Sequence, residues 1–153
     1  RSEVMSRIRS RGNKDTEVAL AKFFRRHKIT GWQRQVQISS RAALRRGPNI
    51  KAARQRRPAS FRVRPDFVFP KHRLTVFVDG CFWHGCPKHG TKPKGNAAFW
   101  RKKFASNIAR DRLVTRTLRR AGWRVLRIWE HELARKREAR LLHRVRRVRT
   151  PAR

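Results

Sequence analysis

Cys81, Cys86 and His89 form a C-x4-C-x2-H run, and His131 follows further along the chain. Thiolates with imidazoles suit Zn2+ in a closed tetrahedral site. Both cysteines fall in the Gly/Pro-rich stretch from Gly80 to Gly95, which has little else to fix its backbone. The plainer alternative is two reduced core cysteines and two surface histidines. His84 lies in the same loop, between Trp83 and Gly85. It is either another zinc ligand, competing with Cys86 and His89, or an imidazole aimed at a substrate as general base. Phe82 and Trp83 either pack in the core or wedge between base pairs from a rigid, basic loop.

The acids are the second set. Only 9 Asp+Glu stand against 43 Lys+Arg, for a formal net charge of +34. Asp66 sits between Pro65 and Phe67 in an otherwise apolar segment. A carboxylate there needs an ion partner, hydrogen bonds or a metal. Asp79 ends the next apolar segment, just before Gly80, and Glu17 opens an amphipathic one. If the two segments pair as strands, Asp66 and Asp79 approach one sheet edge. Oxygen ligands from Asp66, Asp79 and Glu17 would then suit Mg2+ with several waters. Otherwise Asp79 caps its own loop and Asp66 pairs with Arg62 or Arg64.

These groups must be positioned by a small domain, and 153 residues with 38% hydrophobic content suffice for one modest core. No run approaches the roughly 20 apolar residues of a membrane span, and no signal-peptide pattern follows the basic start. Two cysteines exclude a disulfide framework, and their use as thiolates implies a reducing, cytoplasmic setting. The charge implies a polyanion partner. Five Trp and nine Phe interleaved with the basic residues favour nucleic acid over an anionic membrane surface.

The elements read as a mixed α/β domain. Residues 1–13 form a basic arm. Asp15-Thr16 starts a helix over 15–29, carrying Leu20, Phe23, Phe24 and His27 at helical spacing. A strand follows over 32–38. Residues 39–60, rich in Arg and Lys and free of acids, read as a basic insertion loop. Strands over 61–69 and 74–79 are joined by a hairpin-length connection. Asn96 opens a helix with Trp100, Phe104, Ile108 and Leu118 on one face, and Gly122 stops it. A strand over 123–129 precedes a last helix from Glu130. The basic helix and tail of 136–153 close the chain.

Several of these strings resemble one family specifically. They are Met5 to Arg9 (MSRIR), Lys14 to Glu17 (KDTE), Arg64 to Pro70 (RPDFVFP), Val76 to Cys86 (VFVDGCFWHGC), Phe99-Trp100, Ala121 to Leu126 (AGWRVL) and Trp129-Glu130. In order and in content they resemble the very short patch repair (Vsr) DNA mismatch endonucleases. The resemblance spans residues 5–133, is interrupted mainly by 39–60, and marks 14–135 as the endonuclease domain.

It implies a restriction-endonuclease-like core related to the PD-(D/E)xK nucleases: a central mixed sheet flanked by helices, with a structural zinc loop. It implies Mg2+-dependent nicking of double-stranded DNA 5′ to the T of a T·G mismatch left by deamination of 5-methylcytosine. Asp66 would bind the catalytic Mg2+, His84 would activate the attacking water, and Glu17 would support the metal and its waters. Zn2+ would sit on Cys81, Cys86, His131 and His89, and Phe82 and Trp83 would be the wedge. Asp79 stands where some members carry His, which leaves it as a metal ligand or a phosphate contact. A further wedge aromatic of some members falls near Lys92, where this sequence has none. The enzyme would act as a monomer, with mismatch-repair proteins as possible partners.

Overall fold

A computed structural model describes residues 16–39, 61–90, 93 and 95–150. The basic arm 1–13, almost all of the 39–60 insertion, Lys92 and the last three residues of the tail lie outside the described residues. Helix α1 spans Glu17–Arg26. Strands β1 (Gln33–Arg34), β2 (Ile38–Ser39), β3 (Arg62–Val63), β4 (Phe67–Phe69) and β5 (Leu74–Asp79) follow. Helix α2 (Ala97–Arg120), strand β6 (Arg124–Trp129) and helix α3 (Glu138–Arg149) complete the chain.

The main sheet has the order β1-β4-β5-β6. The β1–β4 and β4–β5 pairs are antiparallel, whereas β5 and β6 are parallel. A parallel pair needs a long crossover, and α2 supplies it. The sheet is therefore mixed, as expected. β2 and β3 form a separate antiparallel pair.

Alternation along the strands divides the interior in two. Phe67, Phe69, Leu74, Val76, Leu126 and Ile128 face α1 and α3, meeting Leu20, Phe24, Leu141 and Val145. Val68 faces the other way, toward Leu118 of α2, with Phe77 and Val125 packed beside it. Helices thus cover both faces. Phe24 meets Phe67 and Phe69 edge-on, with centroids 5.3 and 5.5 Å apart. Truncating so buried a ring costs about 3–5 kcal/mol. α3 and α1 are also clasped at the surface, where Glu138 accepts from Arg26 at 2.9 Å and lies 2.6 Å from His27.

Where the elements depart from the sequence expectations, local chemistry explains it. α1 ends short of residue 29 because Lys28 adopts a left-handed φ of 52°, and Asp15, its expected start, lies outside the described residues. The strand expected over 32–38 is split: Gln35, at φ 56°, turns its N–H to Asp66 O at 3.2 Å. The strand expected over 61–69 breaks at Arg64-Pro65-Asp66, where Pro65 has no N–H to donate. The helix expected from Glu130 begins only at Glu138. Glu132 folds back to accept the Trp129 N–H at 2.8 Å, closing a short 3-10 turn, and Ala134 is extended. α2 ends as expected, and Gly122 takes the left-handed φ of 76° that a side chain would resist. Among the described residues no helix is long and apolar enough to cross a membrane.

Candidate active site and metal-binding loop

β5 and β6 run parallel and end together, with Asp79 opposite Trp129. The loop from Gly80 to Gly90 leaves this edge and folds into tight turns. His84 N–H donates to Gly80 O at 3.2 Å, Cys86 N–H to Cys81 O at 3.0 Å, and Gly90 N–H to Cys86 O at 2.8 Å. A Cβ on Gly90 would lie 2.6 Å from Cys86 O, so this last turn closes only around glycine. Two further bonds tie the loop down. Glu130 accepts the Cys81 N–H at 3.0 Å, and Asn107 of α2 donates to Trp83 O at 2.8 Å.

Cys81, Cys86, His89 and His131 come together, with ligand atoms all within 4.8 Å of one another. His131 Nδ1 is 3.2 Å from Cys81 Sγ and 3.5 Å from Cys86 Sγ, and His89 Nδ1 is 3.9 Å from Cys86 Sγ. Zinc bonds of about 2.0–2.3 Å place tetrahedral ligands roughly 3.3–3.8 Å apart. Both cysteines are free of any disulfide and buried. Burial, then the neighbouring Cys86, pushes the Cys81 thiol up, a cost that a bound dication relieves. Desolvation, then His89, holds His131 below its usual range, in the neutral state a metal takes. The four residues fit Zn2+ in donor type and spacing. His84 is not among them.

His84 turns instead to a second group. Its Nδ1 lies 2.6 Å from Asp111 Oδ2 and 3.7 Å from Asp79 Oδ1. Arg127 on β6 binds Asp79 through both oxygens, at 2.6 and 2.7 Å, and reaches Asp111 Oδ1 at 3.1 Å. Burial raises the Asp111 carboxyl, but the His84 hydrogen bond and Arg127 outweigh it, and the carboxyl sits below its usual range. Asp79, 4% exposed, is therefore held in an ion pair with Arg127, and its ligand oxygen lies within 4.8 Å of those of His84 and Asp111. Asp111 and Arg127 were not singled out in the sequence. The available signal was that Asp111 is the one acid in a 24-residue helix, three residues beyond Ile108 on its packed face.

Asp66 stands at the break before β4. Its Oδ2 accepts the Val78 N–H at 2.8 Å. Its pKa is raised to about 6, chiefly by burial, partly offset by that hydrogen bond, and further by the charges of Glu17 and Asp79. Glu17, which is buried, accepts from Arg34 at 2.8 Å and Gln35 at 3.0 Å. Asp66, Asp79 and Glu17 thus share one electrostatic neighbourhood without closing into one ligand set. A half-buried carboxylate repelled by two others is a group that a hard cation would stabilise, and in that respect Asp66 and Glu17 fit Mg2+.

No aromatic stands at Lys92, but α2 supplies aromatic partners for the loop. Trp100 lies 5.3 Å from Phe82 and 6.2 Å from Trp83, and Phe104 lies 5.4 Å from Phe82. Phe99 is half exposed beside Trp100, at 5.4 Å.

Residues 50–89, which include Asp66, the loop and both cysteines, match the family DNA mismatch endonuclease Vsr. The chain is 54% identical over 71 residues to the type II nicking enzyme V.NaeI of Lentzea aerocolonigenes, covering 46% of this chain and 43% of that enzyme. It is 47% identical over 72 residues to the type II nicking enzyme V.NmeDIP of Neisseria meningitidis serogroup C, covering 46% and 49%. It is 43% identical over 73 residues to the DNA mismatch endonuclease Vsr of Escherichia coli K12, covering 47% of each. The chain spans about half the length of the curated relatives it matches.

Proposed function

We propose that this chain, a member of the Vsr family through the segment that builds its site, is a strand-nicking DNA endonuclease of the restriction-endonuclease-like type. The observation that carries this reading is the 2.6 Å contact between His84, on its pinned loop, and Asp111 of α2, with the half-buried Asp66 bonded to Val78 two residues before that loop. With the Nδ1 proton donated to Asp111, Nε2 is left as the lone-pair nitrogen that can take a proton from water. Arg127 fixes Asp79 and Asp111 together, so the carboxylate that orients His84 is itself oriented. Asp111, Asp79 and Arg127 are positioning residues in this scheme.

Asp66, supported by Glu17, would hold Mg2+, which supplies charge neutralisation at the phosphate and help for the leaving 3′-oxygen. Asp66 itself contributes a desolvated carboxylate aimed from a fixed backbone break. Cys81, Cys86, His89 and His131 would hold structural Zn2+ and keep the loop rigid, and errors of about 1 Å in such positioning cost on the order of 100-fold in rate. Phe82, Trp83 and Trp100 form the aromatic edge that would enter the base stack beside the target, paying unstacking to open the duplex.

The target we propose is a T·G mismatch in duplex DNA, nicked 5′ to the T. The relatives called type II nicking enzymes support a second reading, in which the same site nicks another DNA sequence or structure. End-labelled duplexes carrying one T·G mismatch in several contexts, beside matched duplexes, separate the two. A Mg2+-dependent nick 5′ to the mismatched T alone is the expected result. Nicking of matched DNA removes the mismatch specificity, and no nicking by zinc-loaded protein removes the nuclease reading.

A further inference from the structure

A cleft of about 230 Å3 opens between the loop that carries Cys86 and His89 and the start of α3. Its cations are Lys88, Arg137 and Arg140. Its acid is Glu132, which is already engaged by Arg144 and by the Trp129 N–H. Among the described residues, no acid or carbonyl takes the side-chain head of Lys88, Arg137 or Arg140. The floor includes Trp129 and His131, whose rings are stacked at 12°. Three unneutralised cations thus converge on one concavity.

We propose that this cleft docks a backbone phosphate of duplex DNA. The proposal rests on the DNA-nuclease reading above and extends its interface to a cleft that shares only His131 with the sites already described. Two guanidinium forks and one ammonium match the oxygens of a phosphodiester and carry no base information. The position suits a duplex already held at His84. Trp129 is the register partner of Asp79, so the cleft opens at the same end of the sheet as the nicking site. A duplex crossing that edge continues past the loop, over Lys88, onto the start of α3. The two contacts, one on each side of the Cys/His cluster, hold the loop from both ends.

The test is binding, not cleavage. A short fluorescent duplex is titrated without added Mg2+ over a series of NaCl concentrations, with the parent chain, Arg140→Gln and Lys88→Gln/Arg140→Gln. Each phosphate contact contributes about 0.9 to the slope of log K against log salt. With one phosphate docked, the double variant's slope is expected to be shallower than the parent's by about 0.9, and the single variant's to fall between the two. Folded, zinc-loaded variants with the parent's slope would overturn the proposal. If the double variant loses zinc, Arg140→Gln, on an exposed helix position, carries the test. A chain that binds with the expected slopes but never nicks leaves this site standing and removes only the nuclease reading.

Discussion

Asp79 and Arg127 lie on adjacent parallel strands and share two charge-assisted hydrogen bonds, of 2.6 and 2.7 Å, beneath α2. The pair exposes 6% of the Asp79 side chain and 24% of that of Arg127. Removing one partner strands a charge away from water. Arg127→Gln is expected to lower stability by about 2–4 kcal/mol, and the double variant Asp79→Asn/Arg127→Gln to recover part of that loss. Urea unfolding of the four proteins of this cycle measures it. A purely additive cycle would refute the coupling.

His84 depends on Asp111 for its orientation. Asp111→Asn should keep the fold and DNA binding while reducing the single-turnover nicking rate by roughly 10- to 1000-fold. His84→Ala should reduce it at least as much. Under the nicking reading both act through one proton transfer, so the double variant should be little worse than His84→Ala alone. Multiplied losses would show that Asp111 does something other than orient His84.

Under the nicking reading, Asp66 trades stability for its role. Its folded pKa of about 6 lies above the ordinary 3.8, so the charged form is disfavoured in the native state. The destabilisation is absent below the ordinary value, grows as pH rises through the window, and is complete above about 6. Asp66→Asn keeps an oxygen for the Val78 N–H and removes the charge. Without divalent ions other than zinc, the variant should match the parent near the bottom of this window. Above it the variant should be more stable by roughly 1–3 kcal/mol. The same variant should not nick. Denaturation midpoints across pH check the first expectation, and labelled duplexes the second.

The Cys/His cluster predicts bound zinc in a one-to-one ratio with the chain. Cys81→Ser or Cys86→Ser should lower the metal content measured by elemental analysis. Both thiols of the parent should resist a thiol reagent until a strong chelator is added. Thiols that react at once in freshly purified, metal-replete protein would argue against ligation.

Glu138 clasps α3 to α1. Hydrogen bonds from Arg26, then His27, hold its carboxyl below the usual range. That contribution is present above the ordinary value of 4.5 and is lost as pH falls through the lowered one. Glu138→Gln should therefore melt below the parent near neutrality and converge with it in acid. A gap that stays constant with pH would place the effect elsewhere.

Much of this fold was legible in the sequence because apolar spacing and punctuation agree. The face of Trp100, Phe104, Ile108 and Leu118 marked α2, and Gly122 marked its end. Phe and Val runs joined by a short connection marked the β4–β5 hairpin. The Cys/His cluster was suggested by residue type, and the family resemblance narrowed it to the four residues that the fold brings together. What escaped depends on partners distant in sequence. Gln35 breaks a strand because Asp66 O needs a donor, and Glu132 breaks a helix by turning back to Trp129. Asp111 looks like any surface acid among arginines until the fold sets it 27 residues back against His84. The pairing of Asp79 with Arg127, on a strand formed much later in the chain, could not be read from the sequence either.

α2 carries both Phe104, which backs the aromatic edge, and Asp111, which orients the imidazole. Seven residues of helix separate them, about 10 Å along the axis. The helix therefore works as a ruler. Under the nicking reading, the step pried open and the bond cut keep an offset set by the loop that carries Phe82, Trp83 and His84 and by the helical rise that backs it. Inserting one residue between Phe104 and Asp111 would rotate the second off its face by about 100° and uncouple finding the target from cutting it.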